Sequence, residues 1–313
     1  MTLLKDTSRH EIDTPSLSDS GLSYELVPSR YALKIGEIDV LIISDGVLLL
    51  PGPMLGHNAD PTVRTHWFTD KFLPSDALEW ALNTVIVYSE DKTILIDAGM
   101  GSAFPELPKA GKTVKRLEAA GVTLGSITDV ILTHLHMDHI GGLLIDGVKA
   151  ALRPDIRIHV AAAEVDFWES PDFSQVSMPD GFPEALRETA SLFLETYRDK
   201  LVTFENEAHV APGVRVVQTG GHTPGHSIVR LKSGDERLTF AGDAIFQVGF
   251  EHPEWFNGFD HYPQEASDVR VRLLKELTTS KELLIATHLS FPSLCHVAVE
   301  GDAFRCIPGA WEY

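Results

Sequence analysis

The chain has 313 residues, and its 43% hydrophobic content is enough for a substantial core in one large α/β domain or two small ones. Its 26 lysines and arginines stand against 45 aspartates and glutamates, a formal charge of −19 that repels phosphate backbones and anionic membrane surfaces and argues against nucleic acid as a partner. The two cysteines, Cys295 and Cys306, are too few for a disulfide framework or a Cys-based zinc site and read as two partly buried thiols.

Residues 1–27 are polar, rich in Ser, Thr and Asp and without periodicity, which predicts a mobile arm or one that packs on a partner subunit. They hold no long apolar region, and no later run approaches the roughly 20 apolar residues of a membrane span, so the expectation is a soluble, cytoplasmic protein with no membrane partner. Short β-branched or Leu-rich runs follow: IDVLII, TVIVY, TILI, DVILT, IRIHV, VRVV, IVRL, RLTF and ELLIA, each bounded by turn residues and read as a mostly buried strand. Helical patterns lie between some of them, at 113–120, 162–168, 184–200 and 264–278. No linker or repeat interrupts residues 28–313, which reads as one domain of mixed α/β class.

What stands at the strand ends points to chemistry. TILI runs into Asp97, DVILT into His134, LTFAG into Asp243 and LLIAT into His288, while VRVV is followed by GGHTPGH, which holds His222. In sheet-based α/β folds, loops at strand ends project side chains into a shared crevice, so these ends predict one site. In THLHMDH, His134 and His136 are two apart on an extended segment and face the same side, as two ligands of one metal ion do. Asp138 and His139 open DHIGGLL and aim at a second ion nearby. Two adjacent cations need a bridging anion, which a strand-end carboxylate such as Asp243 can supply, and His222 and His288 complete the two sites. His10, His57, His66, His159, His209, His252 and His261 are scattered and read as ordinary surface or satisfied core residues.

His134, His136, Asp138 and His139 match the HxHxDH signature of the metallo-β-lactamase superfamily, with His222, Asp243 and His288 in its order. Residues 28–313 further resemble the branch containing methyl parathion hydrolase and N-acyl homoserine lactonases, through ISDG (43–46), IDAGMGSAF (96–104), HMDHIGGL (136–143), EVDFW (164–168), GHTPGH (221–226) and ATHLSFPSLCH (286–296). The resemblance implies an αββα sandwich with a two-metal site at one edge of its sheets. It assigns His134, His136 and His222 to one ion and Asp138, His139 and His288 to the other, with Asp243 and a water or hydroxide bridging both. Asp97 would orient a ligand histidine from behind. Imidazole and carboxylate donors suit zinc, the default here, as well as Mn, Co or Fe.

Such a pair of ions implies hydrolysis by a bridging hydroxide, with Asp138 and Asp243 able to pass protons after attack. Phe104, Trp168 and Phe182 resemble the apolar pocket positions of the parathion hydrolase branch, and HWF (66–68) with Phe72 reads as a loop over the cleft. An apolar pocket over two metals fits a lactone or carboxylic ester first and an organophosphate triester second. An iron-dependent redox protein on the same fold is the reading from a different class, disfavoured by the complete set of seven ligand-type residues. The resemblance also implies a homodimer, with residues 51–80 and the N-terminal arm as contacts.

Overall fold

The computed structural model describes residues 27–102 and 107–311. Phe104 and the N-terminal arm, Val27 excepted, lie outside the described residues.

Strands β1 (Arg30–Ile35), β2 (Ile38–Pro51), β3 (Ala77–Ser89) and β4 (Lys92–Ile96) pair antiparallel, and β5 (Asp129–Ile131), β6 (Arg157–Ala161) and β7 (Leu201–Phe204) extend the same sheet in parallel. A second sheet holds β8 (Glu207–Ala211), β9 (Val214–Gln218), β10 (Ser227–Ser233), β11 (Glu236–Phe240), β12 (Leu283–Ile285), β13 (Cys295–Glu300) and β14 (Ala303–Pro308). It too follows chain order, antiparallel except between β11 and β12.

Side chains alternate across a strand, and that alternation sorts the core into layers. Val85, Val87, Ile94, Ile96 and Ile131 turn inward and share a buried cluster with Val216, Val229, Leu231 and Phe240 of the second sheet. Their neighbours Ile86, Leu95 and Val130 face the other way, into a cluster with the helices α1 (Pro61–Asp70), α2 (Thr113–Ala119), α3 (Ala162–Glu169) and α4 (Phe182–Tyr197). Helix α4 buries Leu186, Ala190, Phe193, Leu194 and Tyr197, the stripe a 3.6-residue period produces. On the far side α5 (Pro263–Ser280) lays Val269, Leu273, Leu274 and Leu277 over Ile228 and Leu284 of the second sheet. The layers are therefore helix, sheet, sheet, helix: the expected αββα sandwich. Among the described residues no helix is long and apolar enough to cross a membrane.

Two local features differ from the sequence reading. HWF is not a loop over the cleft: it lies in α1, whose start is set by Asp60 accepting from the Thr62 and Val63 amides at 2.8 and 3.3 Å, with Pro61 in the first turn. Trp67 and Phe68 are buried there, whereas Phe72 just beyond is 97% exposed. In addition, β2 continues past Ile43 through a bulge between Ser44 and Gly46, which turns Asp45 inward. The Asp45 carboxylate accepts from the amides of Met100, Gly111 and Thr113 and from the Thr113 hydroxyl, at 2.6–3.1 Å, which fastens the loop after β4 to β2. Burial nonetheless pushes its pKa up against those hydrogen bonds.

Candidate metal centre

Strands β4 and β5 are adjacent and parallel, so their C-terminal ends deliver Asp97 and Thr133 side by side. Asp97 Oδ1 accepts from the Thr133 amide at 2.9 Å, and its Oδ2 lies 2.9 Å from the Thr133 hydroxyl and 2.8 Å from His139 Nδ1. The single helical turn Met137–Ile140 brings Asp138 and His139 around to the same place. It packs on the Asp97 loop through glycines: a Cβ at Gly141 would stand 2.0 Å from Met100 O and one at Gly142 1.9 Å from Ala98 O.

All seven expected ligand residues converge. His134, His136 and His222 form one group whose donor atoms lie within 4.8 Å of one another, and Asp138, His139 and His288 form a second. His134 also groups with His139 and Asp243, which places it at the centre of the cluster. Asp243 faces both sets: its Oδ1 is 3.3 Å from His139 Nε2, and its Oδ2 is 2.9 Å from His288 Nε2 and 3.5 Å from His222 Nε2. His139 Nε2 and His288 Nε2 each lie 3.6 Å from Asp138 Oδ2.

The donors suit a cation. His134 Nε2, His139 Nε2 and Asp243 Oδ1 are buried without a hydrogen-bond partner, an arrangement that is costly unless a positive ion meets them. Burial, reinforced by neighbouring imidazoles, holds His134 and His136 well below the usual histidine range, as the neutral form that ligates metal. At His139 burial acts in the same direction, but Asp243, Asp138 and Asp97 outweigh it and raise the pKa well above the ordinary value. Asp243 is also buried, yet His288 and His139 hold it well below the usual carboxylate range.

A ring of partners fixes the remaining nitrogens. His222 Nδ1 is 2.8 Å from Asp260 Oδ1, His288 Nδ1 is 2.9 Å from Ala81 O, and His134 Nδ1 is 3.1 Å from the Thr133 hydroxyl. Asp260 is backed by the fully buried Arg270, whose guanidinium also donates to the carbonyls of Ala244, Pro253 and Trp255. His226 Nε2 accepts from the Asp243 amide at 3.1 Å, and burial brings its pKa down to about 3. Thr133, Glu164, His226, Asp260 and His261 were not singled out by sequence, although Thr133, Glu164 and His226 sit inside the quoted motifs. His261 departs from the surface-or-core expectation: its Nε2 lies 3.3 Å from His136 Nε2, and burial brings its pKa down to about 4. His159, by contrast, is a satisfied core residue, paired with Asp129 at 2.8 Å.

Above the cluster opens a cleft walled by Leu48, Leu50, Trp80, Met100, Leu186 and Phe259 and floored by His136, Asp138, Asp243 and His288. Phe182 lines this cleft. Trp168 is 3% exposed and stands behind His136, ring edge to face at 5.7 Å, because Glu164 one turn earlier captures its indole N–H at 2.8 Å. The residues lining the cleft do not include it.

The chain is 27% identical over 233 residues to an N-acyl homoserine lactonase of Bacillus sp, a match that covers 68% of this chain and 82% of the relative. Among solved structures, AidC, a dizinc quorum-quenching lactonase in complex with the product N-hexanoyl-L-homoserine, superposes with a TM-score of 0.84 at 26% identity, over 91% of this chain and 99% of that one. The hydrolase AbOPH of the beta lactamase superfamily superposes with a TM-score of 0.80 at 24% identity over 92% and 99%, a likeness of fold. The sequence pattern of the metallo-beta-lactamase superfamily matches residues 79–288, from within β3 to His288, a span that contains every strand end feeding the cluster. The chain therefore belongs to the metallo-beta-lactamase superfamily and is built as a metal-dependent hydrolase.

Proposed function

We propose that the protein is a dinuclear hydrolase that opens lactones, or cleaves carboxylic esters, carrying an apolar acyl group. The observation that carries this reading is a cleft with aliphatic and aromatic walls ending on a floor of imidazoles and carboxylates. The likeness to AidC and to the Bacillus lactonase supports the lactone as first choice.

In this reading His134, His136 and His222 would hold one ion and Asp138, His139 and His288 the other, with Asp243, which faces both sets, shared between them. Two divalent cations, zinc by default with Mn, Co or Fe as alternatives, would supply Lewis-acid activation of the attacking water and of the substrate carbonyl. The chain's own residues do the rest. Asp97, Asp260, Thr133 and Ala81 O fix the outer nitrogens of His139, His222, His134 and His288, so each imidazole keeps its tautomer and direction. Asp138 is part-exposed at the cleft floor, where it can receive the proton released after attack and pass it to the leaving alkoxide; Asp243 is the alternative carrier. Leu48, Leu50, Phe182 and Phe259 hold the acyl chain and exclude water. The 51–80 region, where Val63 and Phe72 are exposed at 48% and 97%, is the surface this reading assigns to a homodimer contact.

The test is metal analysis together with a panel of N-hexanoyl and N-decanoyl homoserine lactones, an aryl ester, a β-lactam and a phosphotriester. The expected result is about two ions per chain and the highest kcat/KM on a lactone. Lactones opening no faster than in buffer, with rapid turnover of the phosphotriester, would replace this reading with the organophosphate one.

A further inference from the structure

We propose that Glu164 is a positioning residue that locks together the two loops carrying His134, His136 and His222, and so sets the geometry of that half of the centre; the inference rests on the two-ion reading above. Glu164 stands in the first turn of α3 and is fully buried. Its Oε1 accepts from the Leu135 amide at 2.9 Å and from Trp168 Nε1 at 2.8 Å. Its Oε2 accepts from the Thr223 hydroxyl at 2.6 Å and from the Gly225 amide at 3.0 Å.

Leu135 lies between His134 and His136, and Thr223 follows His222. One carboxylate thus spans two loops nearly ninety residues apart in sequence that converge on one metal position. Three of the four groups it meets are N–H groups, which can only donate, so the ionised acid is the form that satisfies them. A second observation concerns fit. A Cβ at Gly225 would lie 2.2 Å from the Glu164 amide nitrogen and 2.4 Å from its Cβ, so the GHTPG loop rests directly on the start of α3. Only glycine permits that approach.

The hydrogen bonds of Glu164 reach neither Asp138, His139 nor His288, and this gives the proposal a signature that a general loosening of the fold does not share. Glu164→Gln keeps the size of the side chain but turns an amide NH2 toward donors that cannot accept. Thr223→Val and Trp168→Phe each remove one donor and leave the carboxylate in place.

Metal-free full-length chain is titrated with Co2+ alone, followed by its visible spectrum, with His136→Ala marking which of the two sites is affected. Glu164→Gln is expected to weaken the site lost in His136→Ala by about tenfold to a hundredfold, the usual effect of removing such an outer partner, while the other site stays within about threefold. Thr223→Val and Trp168→Phe should weaken the same site by less. The double variant Thr223→Val/Glu164→Gln should bind no worse than Glu164→Gln alone, because Thr223 acts through the carboxylate. Wild-type affinity at both sites, equal weakening of both, or additive losses in the double variant would overturn the proposal. If Glu164→Gln does not fold, the other two single variants decide it, and wild-type affinity in both refutes it. A wild-type chain that binds no more than one Co2+ sinks the two-ion reading by itself. In that case, weakening of the single site in these variants upholds Glu164, and unchanged binding refutes it.

Discussion

Adding one methyl group at Gly142 should disable the centre without touching a ligand. Gly142 has an ordinary negative φ, so alanine there strains no dihedral. Its Cβ would stand 1.9 Å from Ala98 O, however, and ordinary contact begins near 3.4 Å, so the two segments must part by about 3.4 − 1.9 = 1.5 Å. That gap separates the turn bearing Asp138 and His139 from the loop bearing Asp97. Two hydrogen bonds span it, from the Ala98 amide to His139 O at 2.7 Å and from the Gly142 amide to Gly99 O at 2.9 Å. Overpacking of this kind costs about 1–3 kcal/mol of stability, and a displacement near 1 Å at reacting groups costs about a hundredfold in rate. Gly142→Ala should therefore lower lactone kcat/KM by about two orders of magnitude and shift the urea midpoint down, with the far-UV circular dichroism unchanged. Gly125→Ala is the control: its nearest neighbour, Ala151 O, is 3.6 Å away, and its activity should match wild type. Gly142→Ala within about twofold of wild type would refute the argument that this packing sets the site.

Three further outcomes follow from the same geometry. Asp260→Ala removes the carboxylate behind His222 and leaves Arg270 buried without it, so metal retained after dialysis, measured by mass spectrometry, should reflect an affinity about tenfold to a hundredfold weaker. Phe182→Ala, which opens the cleft wall, should cost on the order of 1–2 kcal/mol of apolar contact, read as roughly tenfold in kcat/KM on an N-decanoyl lactone with little change on a short-chain one. Chelation should lower the melting temperature and added zinc restore it, since an ion held at a thousand times its Kd contributes about 4 kcal/mol to the folded state.

The layers were legible because the inner strands are long apolar runs whose alternate residues are buried on both faces, as in TILI and TVIVY. Edge elements were not. β1 reads RYALKI with four positions exposed or half-buried and two buried, and β13 and β14 carry charges on the outward face, so they lack the signal that marks a central strand. The seven clustered side chains were legible because each ends or follows a strand, where an apolar run stops at a metal-type residue. Glu164, Asp260 and His261 were not, although each touches the site. Their meaning lies in partners distant in sequence: Leu135 and Thr223 for Glu164, His222 for Asp260, His136 for His261. Alone, each is an acid or a histidine with nothing local to distinguish it from a solvated one.

The cleft wall shows how a single backbone irregularity can hide function from a reading of periodicity. Before the bulge in β2, Val40 and Ile42 face the second sheet and Ile43 the helices. The bulge between Ser44 and Gly46 inserts one residue and reverses that parity, so even-numbered Leu48 and Leu50 now face the helix side. Without the extra residue their alternation would direct them between the sheets, and the cleft over Asp138 and His288 would lose part of its apolar wall. The inserted residue is Asp45, whose carboxylate reaches Met100, Gly111 and Thr113, so the feature that turns the wall also anchors the loop leading from Asp97. In the sequence it is only ISDG, where the strand's alternating period stops. The same short segment therefore orients the substrate wall and ties it to the loop that positions His139.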